Sequence, residues 1–187
     1  MELLKIILHT FINPKKAVRE INVLDNKLIG IFVGIIGSAS FPVSSNIFAM
    51  IIKHPNGTGI DILNMLRAAA FYFISVILLY FICKLFKGSA NLYTFISGMG
   101  WTWIYLLYIS FVMLVIGYLM TFKTDSGEFQ NTMPIIYLCL FIIYIAFSGI
   151  FMVYQTISKT MLLNRIKTIS IMVLTLIPLF FLYDVVV

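Results

Sequence analysis

The stretch YLCLFIIYIAF, Tyr137 to Phe147, carries no charge and is apolar whichever way it is wound. A membrane-spanning barrel strand alternates apolar with polar residues, so this stretch does not read as one. Followed outward, the apolar run extends from Met133 to about Ile157. That length suffices for a helix rising about 1.5 Å per residue to cross roughly 30 Å of hydrocarbon. An unpaired backbone amide in lipid costs several kcal/mol, and only a helix pairs its amides locally, so the run is expected to be helical.

Four more runs of similar character flank it, at about residues 28–52, 66–86, 101–122 and 169–187. The expected fold is therefore all-α: a polytopic bundle of five transmembrane helices over residues 28–187, preceded by a cytoplasmic interfacial amphipathic segment, residues 1–27. Composition agrees. The 187 residues are 61% hydrophobic and 11% charged, with a mean hydropathy of +1.05. A soluble domain carries roughly a quarter charged residues, and charge this sparse cannot cover a water-facing surface.

The connections are short. HPNGTG (His54 to Gly59) is turn-rich, and the polar stretch KTDSGEFQNT (Lys123 to Thr132) is followed by Pro134 at a helix-starting position. The link between the second and third spans is expected from Lys87 to Gly100, with Gly88, Gly98 and Gly100 as its punctuation. Cys83 and Cys139 lie inside apolar runs at a spacing that matches no zinc or redox motif, and they read as ordinary small residues.

The net charge of +6 would suggest nucleic acid on a soluble protein. Its distribution gives a different reading. Lys5, Lys15, Lys16, Arg19 and Lys27 precede the first span, Lys84 and Lys87 sit at the second link, and Lys159, Arg165 and Lys167 at the fourth. One side of the membrane thus collects ten of the thirteen basic residues, against Lys53, Arg67 and Lys123 on the other. Basic residues in short loops stay in the cytoplasm, so the expectation is a multi-pass cell-membrane protein with a cytoplasmic N-terminus and an extracytoplasmic C-terminus.

The first residues do not read as a signal peptide, because LLKIIL is broken by Lys5 and no small-residue cleavage site follows. Leu3, Leu4, Ile7, Leu8 and Phe11 recur at helical spacing instead, as expected of a helix on the cytoplasmic interface. Asn13-Pro14 then reads as an N-cap followed by proline at the first helical position, opening a second helix, KKAVREI. Its Lys15, Lys16 and Arg19 are candidates for anionic headgroups, at about 1 kcal/mol each near the surface.

Catalysis finds little support. His9 and His54 are expected on opposite sides of the membrane, and the acids sit in links, at termini or at span edges. No HExxH motif, glycine-rich phosphate loop or metal-ligand cluster is visible, so neither an enzymatic activity, a cofactor nor a metal is expected. The first span is the most polar. Gly30, Gly34 and Ser38 fall at i, i+4 and i+8, and Pro42 and Asn46 continue the stripe. Small residues at this spacing let helices approach closely, and Asn46 can hydrogen-bond across such an interface. The functional alternative is a substrate or ion path that includes Gln155 in the fourth span, since polar groups in a span face protein or water. Packing is the commoner explanation. Arg67 is expected to snorkel to the outer interface beside Asp61, and Trp101, Trp103, Tyr105 and Tyr108 resemble an interfacial aromatic anchor.

The order of these features resembles the YIP domain family, integral membrane proteins named for interaction with Ypt/Rab GTPases. The resemblance rests on INPKKAVREI (Ile12 to Ile21), on FKGSANLYTFISGMGW (Phe86 to Trp101) and on VYQTISKTMLLNRIK (Val153 to Lys167), set among five spans. It implies an N-in bundle of five helices. In eukaryotic relatives it further implies vesicle trafficking, membrane shaping or recruitment of small GTPases. The Lys- and Ile-rich, Ala-poor composition suggests a bacterial member, for which the resemblance implies architecture more than activity. The expected function is non-enzymatic: association with membrane lipids and, through helix–helix contact, with a second copy or a membrane-protein partner. The alternative is a small transporter or channel subunit with a polar path along the first span.

Overall fold

A computed structural model of the chain describes the backbone of residues 2–51, 61–121 and 132–186, and side chains within 3–51, 61–121 and 133–175. The described residues form helices α1 (Glu2–Ile12), α2 (Pro14–Val23), α3 (Leu28–Ile51), α4 (Ile62–Leu85), α5 (Leu92–Thr102), α6 (Ile104–Met120), α7 (Thr132–Thr160) and α8 (Arg165–Val186). There is no strand among them. Among the described residues, four stretches are long and apolar enough to cross a membrane: α3, α4, α5 with α6, and α7. The segment expected as a fifth span is helical as α8, and its side chains beyond Thr175 fall outside the described residues. Both polar connections, including His54, Lys53, Lys123 and the acids Asp125 and Glu128, also lie outside them.

The elements begin where local chemistry lets them. Asp61 caps α4 by accepting the amides of Leu63 and Asn64, at 2.9 and 3.4 Å. Arg67 donates to Asn64 Oδ1 at 3.3 Å, and among the described residues no ion pair joins it to Asp61. Asn91 caps α5, taking the amide of Thr94 at 2.8 Å. The chain from Leu92 is thus helical where a glycine-rich link to Gly100 was expected. The glycines there are packing residues and not breakers, and α5 passes into α6 through a single non-helical residue, Trp103.

Direction follows from which residues meet. Along α3, Gly30 abuts Ser97, Gly37 abuts the Trp103 carbonyl, Ser40 meets Ser110 and Phe48 meets Gly117, so α5–α6 runs parallel to α3. Helix α7 runs the other way, with Gly149 against Tyr105 and Thr160 beside Gly98. Helix α4 is likewise antiparallel to α3 and places Tyr72 on Gly34. The starts of α3, α5 and α8 and the ends of α4 and α7 therefore share one end of the bundle. Lys27, Lys84, Lys87, Lys159, Arg165 and Lys167 gather there. Hydrogen bonds tie that end together: Ser89 N–H to the Met161 carbonyl at 3.0 Å, Thr160 to Asn22 at 3.3 Å and Lys167 to the Phe86 carbonyl at 3.4 Å.

The closest approach is between α3 and α5. A Cβ built on Gly30 would lie 2.6 Å from Ser97 Oγ and 2.9 Å from its carbonyl carbon, and one on Gly100 would enter the Gly30 carbonyl. Only hydrogen fits at either position. In lipid, where no hydrophobic force pulls helices together, such small-residue contact is the principal source of packing energy. Two clusters of buried side chains flank this seam. Tyr72, Phe95, Met99 and Ile157 lie in one. Trp101, Tyr105, Ile145 and Met152 join Ile6, Val18 and Ile21 of the N-terminal helices in the other.

Candidate functional site

The N-terminal segment folds as a hairpin of two helices. Asn13 breaks the helix with non-helical backbone (φ −148°, ψ 78°), and its side chain accepts the Lys16 amide at 3.2 Å, while Pro14 opens α2. Ile6 of α1 packs with Ala17, Val18 and Ile21 of α2 in one buried cluster. His9 Nδ1 and Glu20 Oε2 lie 2.6 Å apart, a hydrogen bond that joins the two helices of the hairpin.

The end of α1 is held by tyrosines. The last carbonyls of a helix have no partner within it. At α1 the Thr10 carbonyl accepts the Tyr105 hydroxyl, and the Phe11 carbonyl accepts Tyr144 at 2.9 Å. Tyr108 adds bonds to Thr10 Oγ1 at 3.1 Å and to the Ile7 carbonyl at 3.3 Å. The Phe11 ring lies 4.3 Å from Tyr108 in a tilted contact and stacks on Phe141 at 5.8 Å. Helix α2 is fastened to the same bundle by the Asn22–Thr160 bond, and its own last carbonyls, Ile21 and Asn22, accept Lys27 Nζ. The hairpin is therefore docked on α5, α6 and α7 as part of the folded core.

What the hairpin presents outward divides by helix. On α1, Leu4 is 73% exposed, Leu8 56% and Ile12 70%. On α2, Lys15, Lys16 and Arg19 are exposed, opposite the buried Ala17, Val18 and Ile21. The three candidate headgroup ligands thus share one cationic face beside an apolar one. Ile6 and Thr10, which the apolar spacing did not single out, are the residues of α1 that turn fully inward.

The polar stripe of α3 has a different placement. Gly30, Gly34, Ser38 and Pro42 are all buried. Gly30 meets Ser97 and Gly34 meets the Tyr72 ring, with the Tyr72 hydroxyl 2.6 Å from a built Cβ, so these contacts fall inside the chain. The Tyr72 hydroxyl donates to the Ile96 carbonyl at 3.1 Å, locking α4 to α5 across the same seam. The Ser38 hydroxyl is returned to its own helix, on the Ile35 carbonyl at 2.9 Å. Gly37, against the Trp103 carbonyl, completes the seam and was missing from the sequence stripe. Asn46 is half-buried near the end of α3, and Gln155 is buried near the end of the antiparallel α7, so the two lie toward opposite ends of the bundle.

Of the aromatic residues expected at the interface, Trp101 and Tyr105 are buried, and Trp103 and Tyr108 are half-buried. Trp101 is fully buried with its indole N–H unpartnered, Trp103 packs edge-on to Tyr72, and Tyr105 and Tyr108 serve the hairpin. Their spacing at Trp101, Tyr105 and Tyr108 (i, i+4, i+7) is the signal that puts them on one packing face. Compared with protein-family models, characterised proteins and solved structures, the chain matches none.

Proposed function

We propose that this chain is a non-enzymatic, multi-pass membrane protein of YIP-like type that works through lipid contact and protein association at its N-terminal hairpin. The observation that carries the reading is the hairpin's two-sided surface. An apolar α1 face and a cationic α2 face are held rigidly against the spanning helices by Tyr105, Tyr108 and Tyr144. Helix α8 is the fifth span in this reading. The basic end of the bundle is cytoplasmic, and the C-terminus is extracytoplasmic. Three cations near an anionic surface contribute about 3 kcal/mol together, or roughly a hundredfold in residence at that surface. The glycine seam between α3 and α5 is used within the chain, so association with a second copy or a membrane-protein partner falls to the hairpin and the outward face of α7.

Spin labels at Leu8→Cys and Arg19→Cys in liposomes containing phosphatidylglycerol test this reading. The Leu8 label should be reached by oxygen and shielded from an aqueous nickel chelate, and the Arg19 label should sit at headgroup depth. Equal access of the nickel chelate to both would refute an interfacial hairpin.

A further inference from the structure

An elongated cavity of about 860 Å³ opens between α3 and α6. Ala39, Ser40 and Val43 of α3 and Leu107, Phe111 and Leu114 of α6 form its walls. Phe11 of the hairpin and Phe141 of α7 close the end nearest Tyr108, and Met65 stands at the end where α4 begins. We propose that this groove binds one acyl chain of a membrane lipid. The proposal rests on the membrane-embedded reading above.

The chemistry of the walls selects hydrocarbon. A water in a cavity needs two to four polar partners. Here the polar atoms are already used: Ser40 donates to the Gly37 carbonyl at 2.7 Å, Ser44 to the Phe41 carbonyl at 2.9 Å and Ser110 to Ser40 at 3.2 Å. The Tyr108 hydroxyl is turned to α1. A volume of this size lies in the range that takes a whole small ligand, and it lies between helices long and apolar enough to span.

The dimensions select a chain over a helix. From Ile35 to Ser44 the groove follows α3 over a rise of about 14 Å. One leaflet supplies about 15 Å of hydrocarbon, half of the roughly 30 Å core. A spanning helix from a second copy needs a groove that runs the full height of the bundle, and Phe11 stops this one partway. The depth comes from Ala39, Ser40 and Ser44, where larger side chains would fill it. Phe111 and Ile36, both more than half exposed, form the rim.

The test uses the full chain in liposomes of phosphatidylcholine that include an analogue carrying a photoactivatable diazirine midway along one acyl chain. After illumination, adducts are mapped by mass spectrometry. Adducts on α3 and α6 groove residues should exceed those on Ile143 and Phe147, exposed on α7, by at least threefold. Ala39→Phe and Val43→Phe should each lower groove labelling by at least threefold and leave labelling of α7 unchanged. Uniform labelling of the unmodified protein overturns the proposal without reference to any variant, and so does groove labelling indifferent to both substitutions. Groove residues free of lipid adducts, with Phe111→Cys forming a disulfide between two copies, would replace the acyl chain by a second chain. Absence of adducts from α3 to α7 altogether would instead defeat the membrane reading on which the proposal rests.

Discussion

Replacing Gly30 by alanine adds one methyl group at the tightest seam in the protein. That methyl would lie 2.6 Å from Ser97 Oγ and 2.9 Å from the Ser97 carbonyl carbon. Ordinary carbon contacts begin near 3.5 Å, so α3 and α5 must separate by about 1 Å. Both partners of the clash are constrained. Ser97 is backbone of a helix, and α5 is pinned on its other side by the Tyr72 bond to Ile96. A gap of that size forfeits a quarter to a half of the dispersion energy along the contact, which puts the penalty at the upper end of overpacking, about 3 kcal/mol. Alanine returns about 1 kcal/mol through helix propensity. The net loss is about 2 kcal/mol. Gly98→Ala is the matched control, because its Cβ would meet Thr156 Cγ2 at 3.2 Å, a methyl that a small adjustment accommodates, and Thr160 Oγ1 at an ordinary 3.6 Å. Thermal unfolding in a mild detergent should therefore show Gly30→Ala melting several degrees below the parent and Gly98→Ala melting at or above it. Equal melting of the two variants would refute the close-packed seam.

Tyr144→Phe removes the hydroxyl that takes the Phe11 carbonyl and should lower stability by about 1 kcal/mol. Hydrogen exchange should accelerate in α1 and not in α4, whereas unchanged exchange in α1 would show that the tyrosine does not hold the hairpin. Leu162 has a positive φ of 54° and is 77% exposed, so its side chain gains little from packing. Leu162→Gly removes a left-handed penalty of roughly 1–2 kcal/mol, partly offset by greater freedom in the unfolded chain, and should raise the melting temperature slightly. A clear fall would contradict the strained turn between α7 and α8.

The bundle was legible where physics acts locally. Runs such as Tyr137 to Phe147 admit no conformation in lipid but a helix, and Asn13-Pro14 announces its own cap. Helix α5 was not legible, because Gly98 and Gly100 read as breakers in water-based propensity but serve as contact points between helices. The packing role of Trp101, Tyr105 and Tyr108 was hidden for a related reason. An aromatic near a span end looks like a membrane anchor until its partners are known, and those partners stand about a hundred residues away in α1. The cationic face of α2 could be read from spacing, but the apolar groove could not. It arises where Phe11, Ala39 and Leu107 come together from three separate helices.

The central claim is a multi-pass bundle whose basic end, with the docked hairpin, faces the cytoplasm. Cysteine accessibility to a membrane-impermeant maleimide in intact cells tests it most directly, using Lys16→Cys, Lys87→Cys and Lys159→Cys against Lys53→Cys and Lys123→Cys in a background with Cys83 and Cys139 replaced by alanine. The first three should label only after the membrane is permeabilised, and the last two should label at once. Immediate labelling of Lys16→Cys with protection of Lys53→Cys would contradict the account.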